Sequence, residues 1–265
     1  MSTPSESLVL LNRDGPVARL TLNRPARHNS LIPELLQSLL TALDACEQDH
    51  SIRVLVLSHA GPSFSTGGDV HAFHQQGEKI AGYAAELVGL LNQAIMRMAS
   101  FNKPIIAAVD GAVTGGALGL VLACDIVLVS PRASFTPYYV DVGFSPDGGW
   151  TAMLPTVIGF ARARSVQLLN SCISVEQALA WGMAAKLVPS DQMPDEATAT
   201  AQVVARKAVG SVCNTRSLLR FDPARLADAL ERERTLFLQQ IVSEEAREGM
   251  QRFLIRRSRP ALSCP

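Results

Sequence analysis

The chain has 265 residues, of which 48% are hydrophobic and 18% are charged, a composition typical of a folded globular protein rather than a disordered one. Its 24 basic and 24 acidic residues cancel, so no overall field attracts nucleic acid or an anionic membrane surface. The N-terminus lacks a basic segment followed by a long apolar run, and no window reaches the length of a membrane span. We therefore expect a cytoplasmic protein that binds neither nucleic acid nor membrane. The five cysteines have no CxxC spacing, which argues against a zinc site.

Predicted strands and helices alternate in the first part of the chain. Two β-rich runs flank Asp14-Gly15, as in a hairpin, and the leucines between residues 33 and 49 recur with the helical period. A further helix is predicted from about residue 82 to residue 99. Short apolar runs predict buried strands at residues 52–58, 104–109 and 124–130. This alternation indicates an α/β domain.

From Ala161 onward the pattern is helical only. Ser174 and Gln177 form a capping box at the start of one helix, and Gly182 ends it. The last seventy residues or so are predicted to be helical with an interruption around Pro223. Because this helical segment has apolar positions that packing within its own chain is not expected to cover, we expect it to pack on another subunit.

Two glycine-rich segments each follow a predicted strand. They are "SFSTGGDV", residues 63–70, and "GAVTGGALG", residues 111–119, and the second opens a helix. Glycines at such junctions let another group approach backbone N–H groups, although they also serve tight packing of a helix on a sheet. Neither segment matches the fingerprint of a dinucleotide-binding site or a phosphate-binding loop.

A third segment, "GFSPDGGWTAMLP", places one carboxylate, Asp147, among apolar residues, glycines and prolines. Pro-Asp-Gly is common turn chemistry. Alternatively, the apolar neighbours raise the pKa of Asp147 far enough for it to act as a base.

Six motifs in order carry a resemblance that covers nearly the whole chain. The chain resembles the enoyl-CoA hydratase/isomerase, or crotonase, superfamily in "NRPARHNSL", "FSTGGDV", "KPIIAAVDGAVTGGALGLVLACDIVLVSPRASF", "VGFSPDGGWTAMLPTVIGFARA", "ISVEQALAWGMAAKLVP" and "EGMQRFL". The resemblance implies an α/β fold of repeated ββα units with a C-terminal helical trimerisation region. It divides the chain into a core with the active site, residues 1–195, and an oligomerisation region, residues 196–265.

The same resemblance implies an acyl-CoA thioester substrate, no separate cofactor because coenzyme A is part of the substrate, no metal, and a homotrimer or a dimer of trimers. It also implies that the backbone N–H groups of Gly68 and Gly116 bind the thioester oxygen. Fixed donors of this kind stabilise the enolate that forms when a neighbouring proton is removed.

The chain departs from the hydratases of this superfamily at both catalytic glutamates. Gly119 and Tyr139 occupy those positions, Tyr139 in a predicted strand, and neither suits base-catalysed hydration at neutral pH. Asp147 lies where several isomerases of the superfamily carry an active-site acid. These residues favour an isomerase that shifts the double bond of an enoyl-CoA, with Asp147 as the proton shuttle. The alternatives are an enoyl-CoA hydratase that uses Asp147 alone, a dehalogenase with Asp147 as nucleophile, and a non-catalytic acyl-CoA-binding scaffold.

Further side chains are expected to bind the substrate. Arg27 is expected to pair with CoA phosphates, and Asp69 is expected to bond backbone or the adenine region. Segment 71–83 is expected to be a loop that shapes the acyl pocket, with His71 at its border. The substrate-binding set is completed by Tyr139, Phe144 and Trp150.

Overall fold

The computed structural model describes residues 7–257. In this range the strands are β1 Val9–Asp14, β2 Val17–Leu22, β3 Val54–His59, β4 Ser63–Ser65, β5 Ile105–Val109, β6 Ala112–Thr114, β7 Ile126–Val129, β8 Ser134–Thr136 and β9 Lys186–Leu187. The helices are α1 Pro33–Gln48, α2 Val70–Gln75, α3 Ile80–Ala99, α4 Ala117–Leu122, α5 Tyr139–Val142, α6 Leu154–Ile158, α7 Phe160–Leu169, α8 Val175–Ala180, α9 Met193–Ala205, α10 Val209–Leu219, α11 Pro223–Ile241 and α12 Glu244–Arg257. Short 3-10 turns lie at Pro25–Arg27, Gly77–Lys79 and Ser190–Gln192.

Two sheets organise the strands. The larger has the order β1-β2-β3-β5-β7-β9, in which only the hairpin pair β1 and β2 is antiparallel. The smaller has the order β4-β6-β8 and is wholly parallel. Successive units β3-β4, β5-β6 and β7-β8 each place one strand in each sheet and then enter helix, which confirms the predicted repetition of ββα units.

The parallel strands of the large sheet are buried on both faces. The four residues of β3 from Val54 to Leu57 are buried, as is all of β5, and this explains why their sequences read as unbroken apolar runs. One face packs against α1 and α3, whose leucines form the main core. The other face packs against α9 through Met193, Ala197 and Ala201.

Three local expectations are wrong. Segment 71–83, expected to be a loop, contains most of α2, a 3-10 turn and the start of α3, because Asp69 caps α2 by accepting from the Ala72 amide at 3.2 Å. Tyr139, expected in a strand, begins α5 after Tyr138, whose φ of 64° turns the chain out of β8. The region after Ala161 is not helical only, because β9 adds an edge strand beside β7.

The capping box at the start of α8 is confirmed, with Ser174 accepting from the Gln177 amide and the Gln177 side chain accepting from the Ser174 amide. The division predicted at 195/196 falls inside α9. On α10, Leu218 and Leu219 are 86% and 81% exposed, as a subunit contact would require, and the trimer stays a prediction. Within residues 7–257, no helix combines the length and the apolarity that a membrane span needs.

Candidate active site

The two glycine-rich segments meet at the ends of two neighbouring parallel strands, β4 and β6. Parallel neighbours finish at the same edge of a sheet, so the residues that follow them come together. A β-carbon built on Gly67 would lie 2.5 Å from the carbonyl oxygen of Thr114 and 3.1 Å from Cα of Gly115. Gly67 also has a φ of 68°, which favours glycine. Glycine is therefore required here for the two segments to touch.

Gly68 and Gly116, one residue further along each segment, line the same cavity. Within the part of the chain that the structure describes, neither amide donates to another protein group. The carbonyl of Gly67 and the amide of Asp69 bond instead to Leu31, which holds the backbone on both sides of Gly68. The cavity therefore contains two backbone donors without protein acceptors.

Asp147 is buried beside one of these donors. A β-carbon built on Gly116 would lie 3.1 Å from Oδ1 of Asp147. The same oxygen accepts a hydrogen bond from the hydroxyl of Tyr139, which also lies 3.0 Å from the Asp147 carbonyl oxygen. The carboxylate is thus fixed at the cavity wall with a phenol as its neighbour.

Burial raises the pKa of Asp147 to about 7. The hydrogen bond from Tyr139 opposes this rise, and the negative charge of Glu233 adds to it. Burial, together with the charge of Asp147, raises the pKa of Tyr139 well above its ordinary value, so Tyr139 is a neutral donor near pH 7. A carboxyl group of this kind exchanges protons readily at neutral pH, as a general acid or base must.

Asp69 is also buried, but it is neutralised by two arginines. Arg24 bonds it at 2.9 Å and Arg27 at 3.2 Å, and Ser30 adds a hydroxyl at 3.2 Å. Burial disfavours its charge, but the bonds from Arg24, the Ala72 amide and Arg27 outweigh that effect and lower the pKa of Asp69. This charged network anchors the loop that carries Gly68. Arg27, whose side chain is 47% exposed, is thereby held at the surface near the cavity.

Aromatic rings form the apolar wall of the cavity. Phe73, Phe144 and Phe237 contact one another edge-on or tilted, with ring centroids 5.6 to 6.1 Å apart. The cavity has a volume of about 60 Å³, room for a few water molecules. Tyr139 and Phe144, expected at the substrate, line it together with Asp147 and the two glycines.

Four of the six predicted substrate-binding residues do not line the cavity: Arg27 and Asp69, which form the charged network above, and also His71 and Trp150. His71 is exposed on α2, and the neighbouring Val70 and Phe73 face the cavity instead. Trp150 is fully buried, and its indole N–H donates to the carbonyl oxygen of Gly115 at 2.7 Å. A trans peptide directs its C=O and its N–H in opposite directions, so this bond, together with one from the Leu118 amide at 3.2 Å, orients the Gly116 amide. Trp150 therefore acts on the site through the backbone.

Sequence reasoning missed two residues of α11. Phe237 completes the aromatic wall, and Glu233, only 4% exposed, accepts hydrogen bonds from the loop that follows Asp147. The sequence signal that indicates Glu233 is a charged residue at a position of the helical period that is otherwise apolar. The buried stripe with this period consists of Leu226, Leu230, Glu233, Phe237 and Ile241.

Ion binding is not indicated by the side chains. Among residues 7–257, no group of three His, Cys, Asp or Glu side chains is placed to hold a metal ion. The chemistry available at this site is proton transfer by a buried carboxyl group next to two backbone donors.

Residues 12–260 match the family model for enoyl-CoA hydratase/isomerase. The chain is 32% identical over 255 residues to 1,2-epoxyphenylacetyl-CoA isomerase of Escherichia coli, an alignment that covers 94% of this chain and 96% of the relative. It is 32% identical over 253 residues to 2,3-dehydroadipyl-CoA hydratase of the same organism, covering 95% and 97%.

Among solved structures, the fold is similar to that of enoyl-CoA hydratase from Bacillus halodurans, with a TM-score of 0.87. That match has 24% identity and covers 93% of this chain and 100% of the other. With the family model covering most of the sequence and relatives above 30% identity aligned over nearly their full length, the chain belongs to the enoyl-CoA hydratase/isomerase family, and its α/β architecture is the crotonase fold.

Proposed function

We propose that this protein shifts the double bond of an enoyl-CoA thioester, with Asp147 as the single proton shuttle and the amides of Gly68 and Gly116 as the oxyanion hole. Asp147 takes a proton from C2 of a 3-enoyl thioester, and the electrons move onto the thioester oxygen to give a dienolate. The two amides bind that oxygen while the charge is present. Asp147 then returns the proton at C4, which yields the conjugated 2-enoyl thioester. Atoms and charge balance without a separate cofactor or a metal.

The observation that carries this proposal is the placement of one buried carboxyl group, with a pKa of about 7, beside Gly116. A base of this pKa takes up and gives back protons at neutral pH. Fixed backbone donors stabilise a developing oxyanion strongly, and loss of one typically costs about 3 kcal/mol in the barrier.

A second observation favours isomerisation over hydration. Among the described residues, Asp147 is the one carboxylate that lines the cavity. A side chain at Gly119, where hydratases of the family carry a glutamate, would overlap with the carbonyl oxygen of Gly148 and with Ile95. No room remains at that position for an acid that activates water. The similarity to 1,2-epoxyphenylacetyl-CoA isomerase points the same way, whereas the similarity to 2,3-dehydroadipyl-CoA hydratase keeps hydration as the alternative to be tested.

The test compares products from 3-enoyl and 2-enoyl CoA esters by ultraviolet absorbance and mass spectrometry. Isomerisation forms the conjugated thioester without a change in mass, whereas hydration adds one water. Asp147→Asn should abolish the double-bond shift and keep the affinity for a saturated acyl-CoA. Asp141→Asn, at an exposed position on α5, is the matched control and should leave turnover unaltered. Formation of a 3-hydroxy ester would instead establish a hydratase, and binding without turnover across the ester panel would establish a scaffold.

A further inference from the structure

The loop that carries Asp147 has little regular structure of its own. Between α5 and α6, residues 143–153 form neither helix nor strand, although Asp147 and the three residues that follow are buried. Buried backbone N–H groups need acceptors. Where the loop finds them determines how firmly Asp147 is held.

One side chain, Glu233 of α11, accepts from three backbone amides of this loop. Its Oε2 accepts from the Gly149 amide at 2.8 Å. Its Oε1 accepts from the Thr151 amide at 2.7 Å, the Thr151 hydroxyl at 2.7 Å and the Ala152 amide at 2.8 Å. Both oxygens of one carboxylate thus fasten a segment that begins two residues after Asp147.

Helix α11 is itself anchored, so it can act as a rigid support. Asn92 of α3 donates to the carbonyl oxygen of Leu230 at 3.2 Å. Gln240, two turns after Glu233, donates to the carbonyl oxygen of Gly143 at 3.0 Å. Helix α11 therefore holds the loop on both sides of Asp147.

We propose that Glu233 is a positioning residue for the reaction: it fixes Asp147 from α11 without contacting the substrate. This proposal rests on the proposed function of Asp147. It also gives the C-terminal helical region a role in the active site of its own chain, in addition to the expected oligomerisation.

Glu233 also acts on Asp147 by its charge. Burial raises the pKa of Glu233, and the four donors oppose that rise because they favour the carboxylate. Its negative charge in turn raises the pKa of Asp147. Among the described residues, the titratable groups that act on Asp147 are Tyr139 from α5 and Glu233 from α11. Removing the charge at 233 should therefore move the acid limb of the kcat–pH profile to lower pH.

The experiment uses the full chain with a 3-enoyl-CoA substrate. In Glu233→Gln, one acceptor oxygen becomes an NH₂ donor that faces an N–H group, so at least one hydrogen bond between α11 and the loop is lost. We expect kcat to fall about 100-fold, since small displacements of a catalytic group have effects of this size. We expect the Kd for a saturated acyl-CoA, measured by calorimetry, to change less than about threefold, because Glu233 does not line the cavity.

Two further variants separate charge from position. Glu233→Asp keeps the charge but cannot reach all four donors, so kcat should fall while the acid limb stays at the wild-type pH. Glu231→Gln is the matched control on the same helix, where the side chain is 58% exposed and pairs with Arg234; it should behave as wild type. Should Glu233→Gln fail to fold, Thr151→Val removes one of the four bonds and should still lower kcat about threefold or more.

The outcomes distinguish this proposal from the proposed function. Wild-type kcat and an unmoved acid limb in Glu233→Gln would overturn the role of Glu233 and leave Asp147 untouched. So would a parallel loss of kcat and acyl-CoA affinity, which indicates general collapse. If the wild type does not isomerise enoyl-CoA, or if Asp147→Asn isomerises it at the wild-type rate, the proposed function itself is wrong, whatever the Glu233 variants show.

Discussion

The indole N–H of Trp150 donates to the carbonyl oxygen of Gly115 at 2.7 Å, from a position with no solvent exposure. Gly115 and Gly116 share one peptide plane, so the direction of the Gly115 carbonyl determines the direction of the Gly116 amide. The same carbonyl oxygen also accepts from the Leu118 amide in the first turn of α4 at 3.2 Å, so two donors hold that plane. The buried tryptophan, through the shorter of these two bonds, helps to set the direction of one of the two proposed oxyanion donors.

Trp150→Phe should lower kcat by about 10-fold or more while KM changes little. Phenylalanine keeps an aromatic ring in the core but lacks the donor, so the Leu118 amide alone holds the peptide that carries the Gly116 amide, and its alignment loosens. Loss of a complete oxyanion donor typically costs on the order of 100-fold. Steady-state kinetics with a 3-enoyl-CoA measures the effect. Trp181→Phe is the control, because Trp181 packs against Arg162 away from the cavity. An unaltered kcat in Trp150→Phe would contradict the assigned role.

Tyr139→Phe should move the acid limb of the kcat–pH profile to higher pH. The hydroxyl of Tyr139 donates to Asp147 and lowers the pKa of that carboxyl, which burial holds at about 7. Without the hydroxyl, more of Asp147 is protonated at neutral pH and fewer molecules carry the base. Rates measured from pH 5 to pH 9 test this. Tyr83→Phe removes a hydroxyl away from Asp147 and should leave the acid limb at the wild-type pH. If the acid limb of Tyr139→Phe lies at the same pH as that of Tyr83→Phe, the effect of Tyr139 on the pKa of Asp147 is refuted.

Asp147→Asn should stabilise the protein at pH 8 more than at pH 4. The pKa of Asp147 is raised from 3.8 to about 7 on folding, so the protonated form is the one the fold favours. The stability that this group contributes is present below pH 3.8 and is lost as the pH rises to about 7. A shift of this size corresponds to at most about 4 kcal/mol, and asparagine avoids that loss.

Urea unfolding of both proteins at pH 4, 6 and 8 measures this difference. The stability gain of the variant should grow through this range and level off above pH 7. Asp141→Asn, on the exposed side of α5, should show no such trend. A gain that is the same at every pH would show that Asp147 is already ionised at low pH in the folded protein.

Local patterns were enough to predict strands β1, β2, β3, β5 and β7 of the larger sheet and the two glycine segments. Buried parallel strands read as apolar runs because both faces are covered, and glycines mark the strand ends where two backbones touch. The roles of Gly68, Gly116 and Asp147 came from the resemblance to the family, and all three residues line one cavity. The placement of Tyr139 was wrong because the short turn at Tyr138, with positive φ, has no periodic signal.

Contacts between distant segments were out of reach of such patterns. Glu233 meets Gly149 across a separation of 84 residues, and the helical period places Glu233 on an apolar stripe without showing which segment it bonds. The identification of Trp150 as a substrate contact was sound in chemistry, because tryptophans often line apolar sites. The backbone path, however, turns its ring into the core, where its N–H requires a buried acceptor.

Acyl groups that end in a charge should be poor substrates. Apart from Asp147, the residues that line the cavity within the described chain carry no charged side chain, and its apolar wall is formed by Phe73, Phe144 and Phe237. A terminal carboxylate would lose its hydration there without gaining a cation, which costs several kcal/mol. We therefore expect kcat/KM to fall about 100-fold or more when the terminal methyl group of an enoyl-CoA is replaced by a carboxylate.

The matched control for this comparison is the methyl ester of the same dicarboxylic acyl chain. It has a similar length and shape without the charge, so it should recover most of the lost kcat/KM if charge is the cause. Equal loss for the ester and the free acid would point to chain length instead. Efficient turnover of the free carboxylate would mean that a cation reaches the acyl end of the site, and Arg27, half-exposed beside Asp69, would be the first residue to substitute.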